Sequence, residues 1–505
     1  MAGRQDDGGA VPISGAANDG GADPTGTDLA GRRVLVAGLG VTGRAVVGVL
    51  AARGAVVTTL DERAADADVA DPGSVDLGGI DLVIASPGWP PAHPLLAGAA
   101  ERGVPVWSEV ELAWRLRVDR ASAPGPAPWL VVTGTNGKTT TVGMLASILA
   151  AAGHAAPAVG NVGTPVVTAA TDPGVDVLAV ELSSFQLHFT TSMSAHAAAV
   201  LNIAPDHLDW HGGMDAYVAD KARIYERAVL ACVYDAADPR LERLVAEADV
   251  VEGARAVAFT RGAPAPGQLG VVDGILVDRA FHAPLDHPDR TGHAAELATL
   301  DDLAHLAGPT GVVAPHVVAN ALAAAALARA WGVPAQAVRD GLRAFPAGEH
   351  RSVVVAEVDG VAYVDDSKAT NAHAAAASLA AYPPGTVVWL AGGLAKGAEF
   401  DELVAARGER LAAAVLIGVD ASPWERALAR HAPGIPVVRV DPTETGTVMT
   451  RAVDTARRLA RPGDTVLLAP ASASMDQFVS YADRGERFAQ AVRALDEGEP
   501  SGPAT

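Results

Sequence analysis

Hydrophobic residues in this chain form short apolar runs that are separated by glycine-rich turns and by stretches of helical period. The runs lie at residues 34–37, 56–60, 82–85, 129–132, 175–180 and 197–203. Each has the length of a strand, and several are apolar at nearly every position, as in strands that are buried on both faces of a parallel sheet. Helical patterns follow several of them, including residues 140–152 and 214–227. This alternation predicts an α/β fold with parallel sheets.

The length of 505 residues favours about three domains. Residues 1–27 are rich in Gly, Ala and Asp, which predicts a disordered tail. A stretch rich in Pro and Ala, at 121–128, reads as a linker. We therefore predict domains over residues 28–120, 128–346 and 347–495. Within the second, residues 262–310 are weakly patterned; in the third, strands at 360–364 and 386–391 predict another parallel sheet.

Composition restricts the class of protein. The net charge of −21 argues against binding to nucleic-acid backbones and to anionic membranes. No apolar run is long enough to span a bilayer, and the N-terminus lacks the pattern of a signal peptide. One cysteine, Cys232, allows no disulfide framework. We expect a cytoplasmic protein without nucleic-acid partners or membrane insertion, and we expect it to be a monomer.

Residues 133–140, TGTNGKTT, connect the apolar run at 129–132 to a helical stretch. Strand, glycine-rich turn and helix in this order hold a nucleoside triphosphate, because backbone N–H groups and the helix N-terminus face the phosphates. Lys138 would reach the terminal phosphates, and Thr139 would offer a hydroxyl to Mg²⁺. The full phosphate-loop pattern has a further Gly where this chain has Val132. The stretch predicts ATP binding.

A second glycine-rich turn, residues 38–43, has the form G-x-G-x-x-G and joins two predicted strands by a helix. Asp61 follows the second strand, near the place of the ribose-binding acid in a dinucleotide site. This favours an NAD(P) oxidoreductase as one class. The same glycines suit any pyrophosphate on a helix N-terminus, so a UDP-sugar fits equally well. Ser86 lies at the end of the next predicted strand, an edge where ligands of α/β proteins collect.

Carboxylate and amine groups follow other strands. Glu181 ends the run at 175–180, where its oxygens could hold Mg²⁺ beside the phosphate loop. Only four of the 38 basic residues are Lys, which suggests that each does what Arg cannot. A neutral Lys221 amine can add CO₂ and become a carbamate that ligates metal. Lys368 and Lys396 follow strands of the third domain, and both suit a ligand that carries carboxylates.

Together, residues 133–140 and 181–186, Asp206, His207, Lys221 and residues 365–371 resemble the Mur ligases, ATP-dependent amide ligases of bacterial cell-wall precursor synthesis. The resemblance covers nearly all of residues 33–493, and a shortened phosphate loop of form G-T-N-G-K-T explains Val132. Stretches 366–371 and 474–478 resemble those of the member that adds D-glutamate to UDP-N-acetylmuramoyl-L-alanine. The family resemblance implies a Rossmann-like first domain that binds UDP, a central ATPase-type parallel sheet and a Rossmann-like third domain.

The resemblance also implies roles for individual residues. It places ATP on the phosphate loop and on three residues further along the chain: Gly134, Thr135, Asn136, Gly137, Lys138, Thr139, Thr140, Asn320 at the adenine, Arg351 at the γ-phosphate and Asp366 at the ribose. It places two Mg²⁺ ions on Thr139, Glu181, His207 and carbamylated Lys221. Imidazole is an unusual ligand for so hard a cation, so the assignment of His207 as a ligand rests on the resemblance more than on chemistry. The catalytic residues that the resemblance implies are Lys138, Glu181, His207 and Lys221.

Substrate residues are implied in the same way. The UDP-sugar would lie along Thr42, Arg63, Ser86 and Asn161. D-glutamate would contact Lys368, Thr370, Lys396, Ser474 and Tyr481. The chain departs from the family pattern at Val317, where relatives have Asn, and at Tyr481, where the family usually has Phe.

The implied reaction proceeds through an acyl phosphate, which must be kept from water, and we expect the third domain to move on ATP binding. An oxidoreductase would leave the phosphate loop, Glu181 and three lysines unexplained. A phosphate-loop binding or motor module would not explain the third-domain loops. The nearest alternative is a sibling ligase for another amino acid, including folylpolyglutamate synthase.

Overall fold

The computed structural model describes residues 28–288, 290–308, 311–346, 348, 352–443 and 446–497. The tail predicted for residues 1–27 lies outside them. The described residues form three separate sheets in chain order, and most strand pairs in them are parallel. The predicted α/β class is confirmed. No helix among the described residues is both long enough and apolar enough to cross a membrane.

The first sheet has four parallel strands in the order β2-β1-β3-β4. Its first three strands lie where the apolar runs predicted them, because each run is flanked by residues that favour turns. Its elements are β1 (Arg33–Ala37), α1 (Val41–Ala52), β2 (Val56–Leu60), β3 (Leu82–Ala85), α2 (Pro94–Glu101), β4 (Val106–Trp107) and α3 (Glu109–Arg115).

The middle sheet has nine strands in the order β13-β12-β11-β10-β9-β8-β5-β7-β6. Strands β5 to β11 pair in parallel, whereas β11, β12 and β13 are antiparallel. Its elements are β5 (Trp129–Thr133), α4 (Lys138–Ala151), β6 (Ala158–Gly160), α5 (Val166–Ala170), β7 (Leu178–Glu181), α6 (Ser184–His188), β8 (Ala197–Val200), α7 (Leu208–His211), α8 (Met214–Ala222), β9 (Ala231–Asp235), α9 (Pro239–Glu247), β10 (Arg255–Phe259), β11 (Gln268–Val272), β12 (Ile275–Asp278), β13 (Ala295–Thr299), α10 (Pro315–Ala330) and α11 (Ala335–Ala344).

The third sheet has six strands in the order β14-β15-β19-β16-β17-β18, and all pairs except β14 with β15 are parallel. The predicted parallel sheet thus has one antiparallel strand, β14, at its edge. A two-residue turn links β14 to β15, which permits only an antiparallel pair. Its elements are β14 (Val353–Val358), β15 (Val361–Asp365), α12 (Ala372–Leu379), β16 (Val387–Gly392), α13 (Asp401–Arg407), β17 (Leu411–Ile417), α14 (Ser422–His431), β18 (Val437–Arg439), α15 (Val448–Leu459), β19 (Thr465–Leu468) and α16 (Tyr481–Glu497).

Several predicted bounds were wrong by a few residues. The helix expected over 214–227 ends at Ala222 and continues as a 3₁₀ turn, and Arg227 has a φ of 57° that no helix continues through. The run at 175–180 contributes only its second half to β7, although Val175 and Val177 are buried. Burial of a side chain does not require ladder pairing of its backbone, so an apolar run overstates the length of a strand.

The apolar cores are distributed unevenly among the three sheets. One continuous cluster contains Val36 and Ile84 of the first sheet together with Val131 and Val180 of the middle sheet. The third sheet instead has a separate cluster on each face, one with Trp389 and the other with Tyr363. The first two sheets are thus joined by a common core, while the third is packed as a body of its own.

Candidate functional site

The phosphate loop runs from the end of β5 to the start of α4. Gly137 is the N-cap of α4 with a φ of 84°, and a Cβ there would lie 2.4 Å from Asn320 Oδ1 on α10. Only glycine satisfies both the left-handed backbone and this close approach. The predicted residues Thr139 and Thr140 lie in the first turn of α4, and the N-terminus of a helix is a favourable place for phosphate oxygens.

Asn202, just beyond β8, braces the loop from the side. Its Oδ1 accepts a hydrogen bond from Asn136 N at 2.9 Å, and its Nδ2 donates to Asn136 O at 3.0 Å. Thr135 Oγ1 lies 2.9 Å from the hydroxyl of Tyr217 on α8. These contacts hold the loop in shape from two neighbouring segments. The sequence analysis did not single out Asn202 or Tyr217.

Lys138 and Lys221 meet beneath the loop. Lys138 Nζ donates to the carbonyl oxygens of Gly134 and Thr135, each at 2.9 Å. Lys221 Nζ donates to the same Gly134 oxygen at 2.9 Å, and the residue is only 2% exposed. Burial, reinforced by the charge of Lys138, lowers the pKa of Lys221 well below its usual range. Lys221 is thereby placed to lose a proton, which a carbamate requires.

Glu181 ends β7 beside β5 and is 2% exposed. Its Oε1 accepts a hydrogen bond from Asn161 Nδ2 at 2.9 Å, while its Oε2 is buried without a hydrogen-bond partner in the described part of the chain. A buried carboxylate oxygen in that state fits a cation, because leaving it unpaired is costly. The contact also joins Asn161, predicted on the sugar path, to the predicted metal residue.

His207 has a φ of 53° and begins α7. Its Nε2 lies 3.5 Å from Asp206 Oδ1, and its ring contacts Phe185 at a centroid distance of 4.8 Å. Burial lowers the pKa of His207, and the charges of Lys396 and Lys138 act in the same direction while that of Asp206 opposes them. The ring is therefore favoured in its neutral form, the form that ligates metal.

Mg²⁺ prefers oxygen ligands and usually keeps several waters and phosphate oxygens. Among the residues that the structure describes, no three His, Cys, Asp or Glu side chains are grouped so that they could hold a metal ion by themselves. The predicted set instead combines Glu181, His207 and Thr139 with Lys221, whose amine is not an oxygen donor unless carbamylated. The site thus fits Mg²⁺ ions that take some ligands from these side chains and the remaining ligands from the phosphates of a nucleotide.

The third sheet presents its loops to this site. Lys396 lies close enough to His207 to influence its pKa. Its loop pairs with the loop of Ser474 through Leu394 and Ala473. Lys368 Nζ donates to the hydroxyl of Tyr481 at 3.3 Å, and Thr370 N donates to Lys368 O. Four of the five predicted amino-acid-binding residues therefore lie on loops of this sheet, and Tyr481, the first residue of α16, contacts one of them.

Arg484 on α16 is fully buried and connects two of these loops. Its guanidinium donates to Ser367 Oγ at 3.0 Å, to Ser367 O at 2.9 Å and to Ser472 O at 3.1 Å. A guanidinium with fixed geometry can bond all three oxygens at once, so it sets the distance between the loops. Sequence reasoning missed Arg484, because one Arg among 34 carries no signal of its own.

The phosphate loop directly contacts the third body, which consists of the third sheet and the helices packed on it. Asn136 Nδ2 donates to Asn371 Oδ1 at 3.2 Å and lies 2.9 Å from His373 Nδ1, and Asn371 Nδ2 donates back to Asn136 Oδ1 at 3.0 Å. Asn371 also caps α12. Asp366, predicted at the ribose, accepts a hydrogen bond from Ser352 N at 3.2 Å. Arg351, predicted at the γ-phosphate, lies outside the described residues.

The first sheet carries the remaining predicted residues. Thr42 lies in the first turn of α1, and Ser86 Oγ donates to Gly38 O at 3.1 Å. Asp61 accepts from Leu39 N at 2.7 Å and from the amides of Arg63 and Ala64. Both carboxylate oxygens of Asp61 thus hold the turn, which disfavours the ribose role that an NAD(P) site needs. The Arg63 side chain is exposed.

Known families match both parts of the chain that build this site. A family model described as the Mur ligase middle domain matches residues 132–328. A second, described as the Mur ligase glutamate ligase domain, matches residues 350–472.

Curated relatives match almost the whole chain. A UDP-N-acetylmuramoylalanine–D-glutamate ligase of Streptomyces avermitilis is 59% identical over 484 residues, covering 93% of this chain and 99% of the relative. The protein of the same name from Thermobifida fusca is 53% identical over 486 residues, with coverage of 93% and 99%.

Solved structures show the same fold at low identity. A UDP-N-acetylmuramate-alanine ligase from Thermotoga maritima has a TM-score of 0.52 and 17% identity, covering 92% of this chain and 99% of that one. A MurF ligase from the same organism, in complex with ADP, has a TM-score of 0.53 and 18% identity, with coverage of 93% and 97%.

Proposed function

The chain belongs to the Mur ligase family, and on that premise we propose that it is an ATP-dependent ligase that joins D-glutamate to UDP-N-acetylmuramoyl-L-alanine. The observation that carries the proposal is the likeness, along nearly the full length of both chains, to relatives named for that reaction. The product would be a precursor of peptidoglycan, made in the cytoplasm.

The nucleotide would lie on the loop between β5 and α4. Lys138 now donates to two loop carbonyls, and a γ-phosphate would offer its ammonium stronger, charged acceptors. Asn320 lies against Gly137 and could contact the adenine side from α10. Asp366 would contact the ribose from the third body. Arg351 would meet the γ-phosphate, as the family resemblance implies.

Two Mg²⁺ ions would be held by Thr139, Glu181, His207 and a carbamate on Lys221. They would neutralise the phosphates and the charge that develops during phosphoryl transfer. Carbamate formation joins the Lys221 nitrogen to the carbon of CO₂ and releases one proton. The buried position and the lowered pKa of Lys221 support it, because only the neutral amine is nucleophilic.

The reaction has two steps. A carboxylate oxygen of the L-alanyl group bonds to the γ-phosphorus as the bond to the β-phosphate oxygen breaks, giving an acyl phosphate and ADP. The neutral amine of D-glutamate then bonds to the acyl carbon, loses a proton and expels phosphate. Lys138 would hold the transferring group in line, which is where most of the catalysis of phosphoryl transfer arises.

Water must be kept from the acyl phosphate. We propose that residues 28–120, 128–346 and 347–495 act as three units, and that the third closes over the phosphate loop. Its separate apolar cores support movement as a rigid body. Its contact with Asn136 provides a direct route by which a bound phosphate would be sensed.

D-glutamate would bind where the loops of Lys368, Thr370, Lys396 and Ser474 meet the start of α16 at Tyr481. Two ammonium groups at this edge suit its two carboxylates. The UDP-sugar would extend from Asn161 toward Ser86 and Thr42, with Arg63 at its outer end. A glycine-rich turn at the start of α1 suits the pyrophosphate.

ADP release from the purified protein tests the proposal. Reactions would contain ATP, Mg²⁺, UDP-N-acetylmuramoyl-L-alanine and one amino acid from a panel of D-glutamate, L-glutamate, L-lysine and diaminopimelate. We expect release that depends on both the nucleotide sugar and D-glutamate. Equal rates with L-glutamate or diaminopimelate would reject this substrate, and no release with any pair would reject a ligase.

A further inference from the structure

Asp220, at the end of α8, is a buried carboxylate that binds three side chains. Its oxygens lie 2.9 Å from His188 Nδ1, 2.8 Å from His211 Nδ1 and 3.3 Å from Arg223 Nε. Asp220 is 5% exposed. An ionised carboxylate only accepts hydrogen bonds, so both histidines must carry their proton on Nδ1. Asp220 therefore ties α6, which contains His188, and α7, which contains His211, to α8.

Ser184 extends this network to the start of α6. His211 Nε2 lies 2.9 Å from Ser184 Oγ, and with Nδ1 protonated a neutral ring accepts the hydroxyl proton there. The connectivity of Ser184, His211 and Asp220 is that of a hydrolase triad. However, Ser184 is 3% exposed and the His211 side chain is 0% exposed, so no substrate could reach the hydroxyl. The arrangement suits a brace rather than a nucleophile.

The network also reaches His207 through an aromatic contact. The ring of Phe185 stacks on His211 at a centroid distance of 5.5 Å and an interplanar angle of 12°, and it also contacts His207 edge-on at 4.8 Å. Glu181 lies three residues before the start of α6, His207 directly precedes α7, and Lys221 follows Asp220 in α8. The segments that carry three of the four proposed cation ligands are thus connected through one carboxylate.

We propose that Asp220 is a positioning residue that sets the relative placement of Glu181, His207 and Lys221, so that it determines the affinity of the site for divalent cations. The inference rests on the proposed function and deepens it. Residues that orient metal ligands without touching the metal typically affect metal affinity strongly. ATP and D-glutamate would contact other groups, so their binding should change far less.

The test compares Asp220→Asn with Asp215→Asn, which makes the same change at an exposed position in the first turn of α8. With the full-length protein, free Mg²⁺ would be varied at saturating ATP, and Mn²⁺ binding to the complex with a non-hydrolysable ATP analogue would be followed by EPR. We expect Asp220→Asn to raise the half-saturating Mg²⁺ and the Mn²⁺ dissociation constant by about tenfold. The KM for D-glutamate and the kcat at saturating Mg²⁺ should stay close to those of the control.

A Mn²⁺ dissociation constant equal to that of Asp215→Asn would overturn the proposal, as would a lower unfolding temperature with unchanged cation affinity. If Asp220→Asn fails to fold, Ser184→Ala provides the test instead, because it removes only the hydrogen bond between Ser184 and His211. A weaker Mn²⁺ affinity in that variant supports the proposal, and an unchanged affinity overturns it. Because Mn²⁺ binding needs neither D-glutamate nor turnover, this result is separate from failure of the ligase assay.

Discussion

Lys138 and Lys221 donate to one and the same acceptor, the carbonyl oxygen of Gly134, each at 2.9 Å. Two ammonium groups so close together repel each other, and Lys221 is the one that burial discourages from being charged. Of the two, Lys221 is therefore the amine whose pKa is lowered, as the proposed carbamate requires.

The first prediction concerns Lys221. Lys221→Ala should lower activity by about a hundredfold or more, since it removes a proposed metal ligand. Short carboxylic acids should partly restore it, because a small carboxylate can occupy the place of the carbamate. Lys221→Arg should stay inactive, because a guanidinium remains protonated. ADP release with and without the acids measures this, and equal rescue of both variants would contradict the carbamate.

The second prediction concerns Gly137. Gly137→Ala should abolish ATP binding, because the new methyl group would meet Asn320 Oδ1 in the loop. Gly153→Ala is the matched control: Gly153 has a φ of 87° but open space around its Cβ position. Both variants should lose about 1–2 kcal/mol of stability to left-handed strain. Calorimetric ATP titration should separate them, and normal binding by Gly137→Ala would refute the tight fit.

The third prediction concerns Glu109, which lies between the first and middle sheets and is 4% exposed. Its Oε1 accepts a hydrogen bond from Val167 N on α5, and burial raises its pKa to about 7. A raised carboxyl pKa means that the folded state retains a proton that the unfolded state has lost. Its contribution to stability is thus full below the ordinary pKa of a glutamate and is lost as the pH rises through 7.

Glu109→Gln should therefore unfold like the wild type near pH 4 to 5 and be more stable above pH 7, by roughly 3 kcal/mol at most. Unfolding temperatures of both proteins across this range measure the difference. Glu101→Gln, at an exposed position of α2, should show no such divergence. Parallel curves for Glu109→Gln and the wild type would show that folding does not raise the pKa of Glu109.

The fourth prediction concerns the third body. A non-hydrolysable ATP analogue with Mg²⁺ should change the small-angle X-ray scattering profile, because phosphate binding must rearrange the loop that Asn136 shares with Asn371 and His373. Lys138→Ala, which loses the phosphate-binding ammonium, should show no change. Identical wild-type profiles with and without the analogue would argue against closure of the third body.

Local order was readable from the residues. The runs at 34–37, 56–60 and 82–85 predicted strands of the first sheet almost to the residue, because a short apolar run between glycine-rich turns has few other solutions. The strand, turn and helix around Lys138 were likewise expected, since backbone geometry at Gly137 depends on local sterics. Glu181, Lys368 and Lys396 were singled out because each follows a strand that the pattern already indicated, and the scarcity of Lys beside Arg drew attention to all four lysines.

Asp220, Asn202 and Arg484 carried no comparable signal. Each acts through partners that are distant in the chain, as His188 is from Asp220 and Ser367 is from Arg484. An acid, an amide or a guanidinium in an ordinary helix or loop looks like a solvated residue until the fold buries it. The weak pattern at residues 262–310 did not predict the antiparallel pairing of β11 to β13, because that pairing depends on neighbouring strands more than on their own residues.

The order of strands, turns and helices, and with it the chemistry at each strand end, followed from the residues themselves, because period and backbone sterics act over a few positions. Which of those chemical groups share a site followed from packing alone. Gly134, Glu181, His207 and Lys221 converge because β5, β7 and β8 are neighbours in one parallel sheet and therefore end at one edge. Burial then set the protonation of Lys221, since desolvation exists only once the surrounding chain has folded.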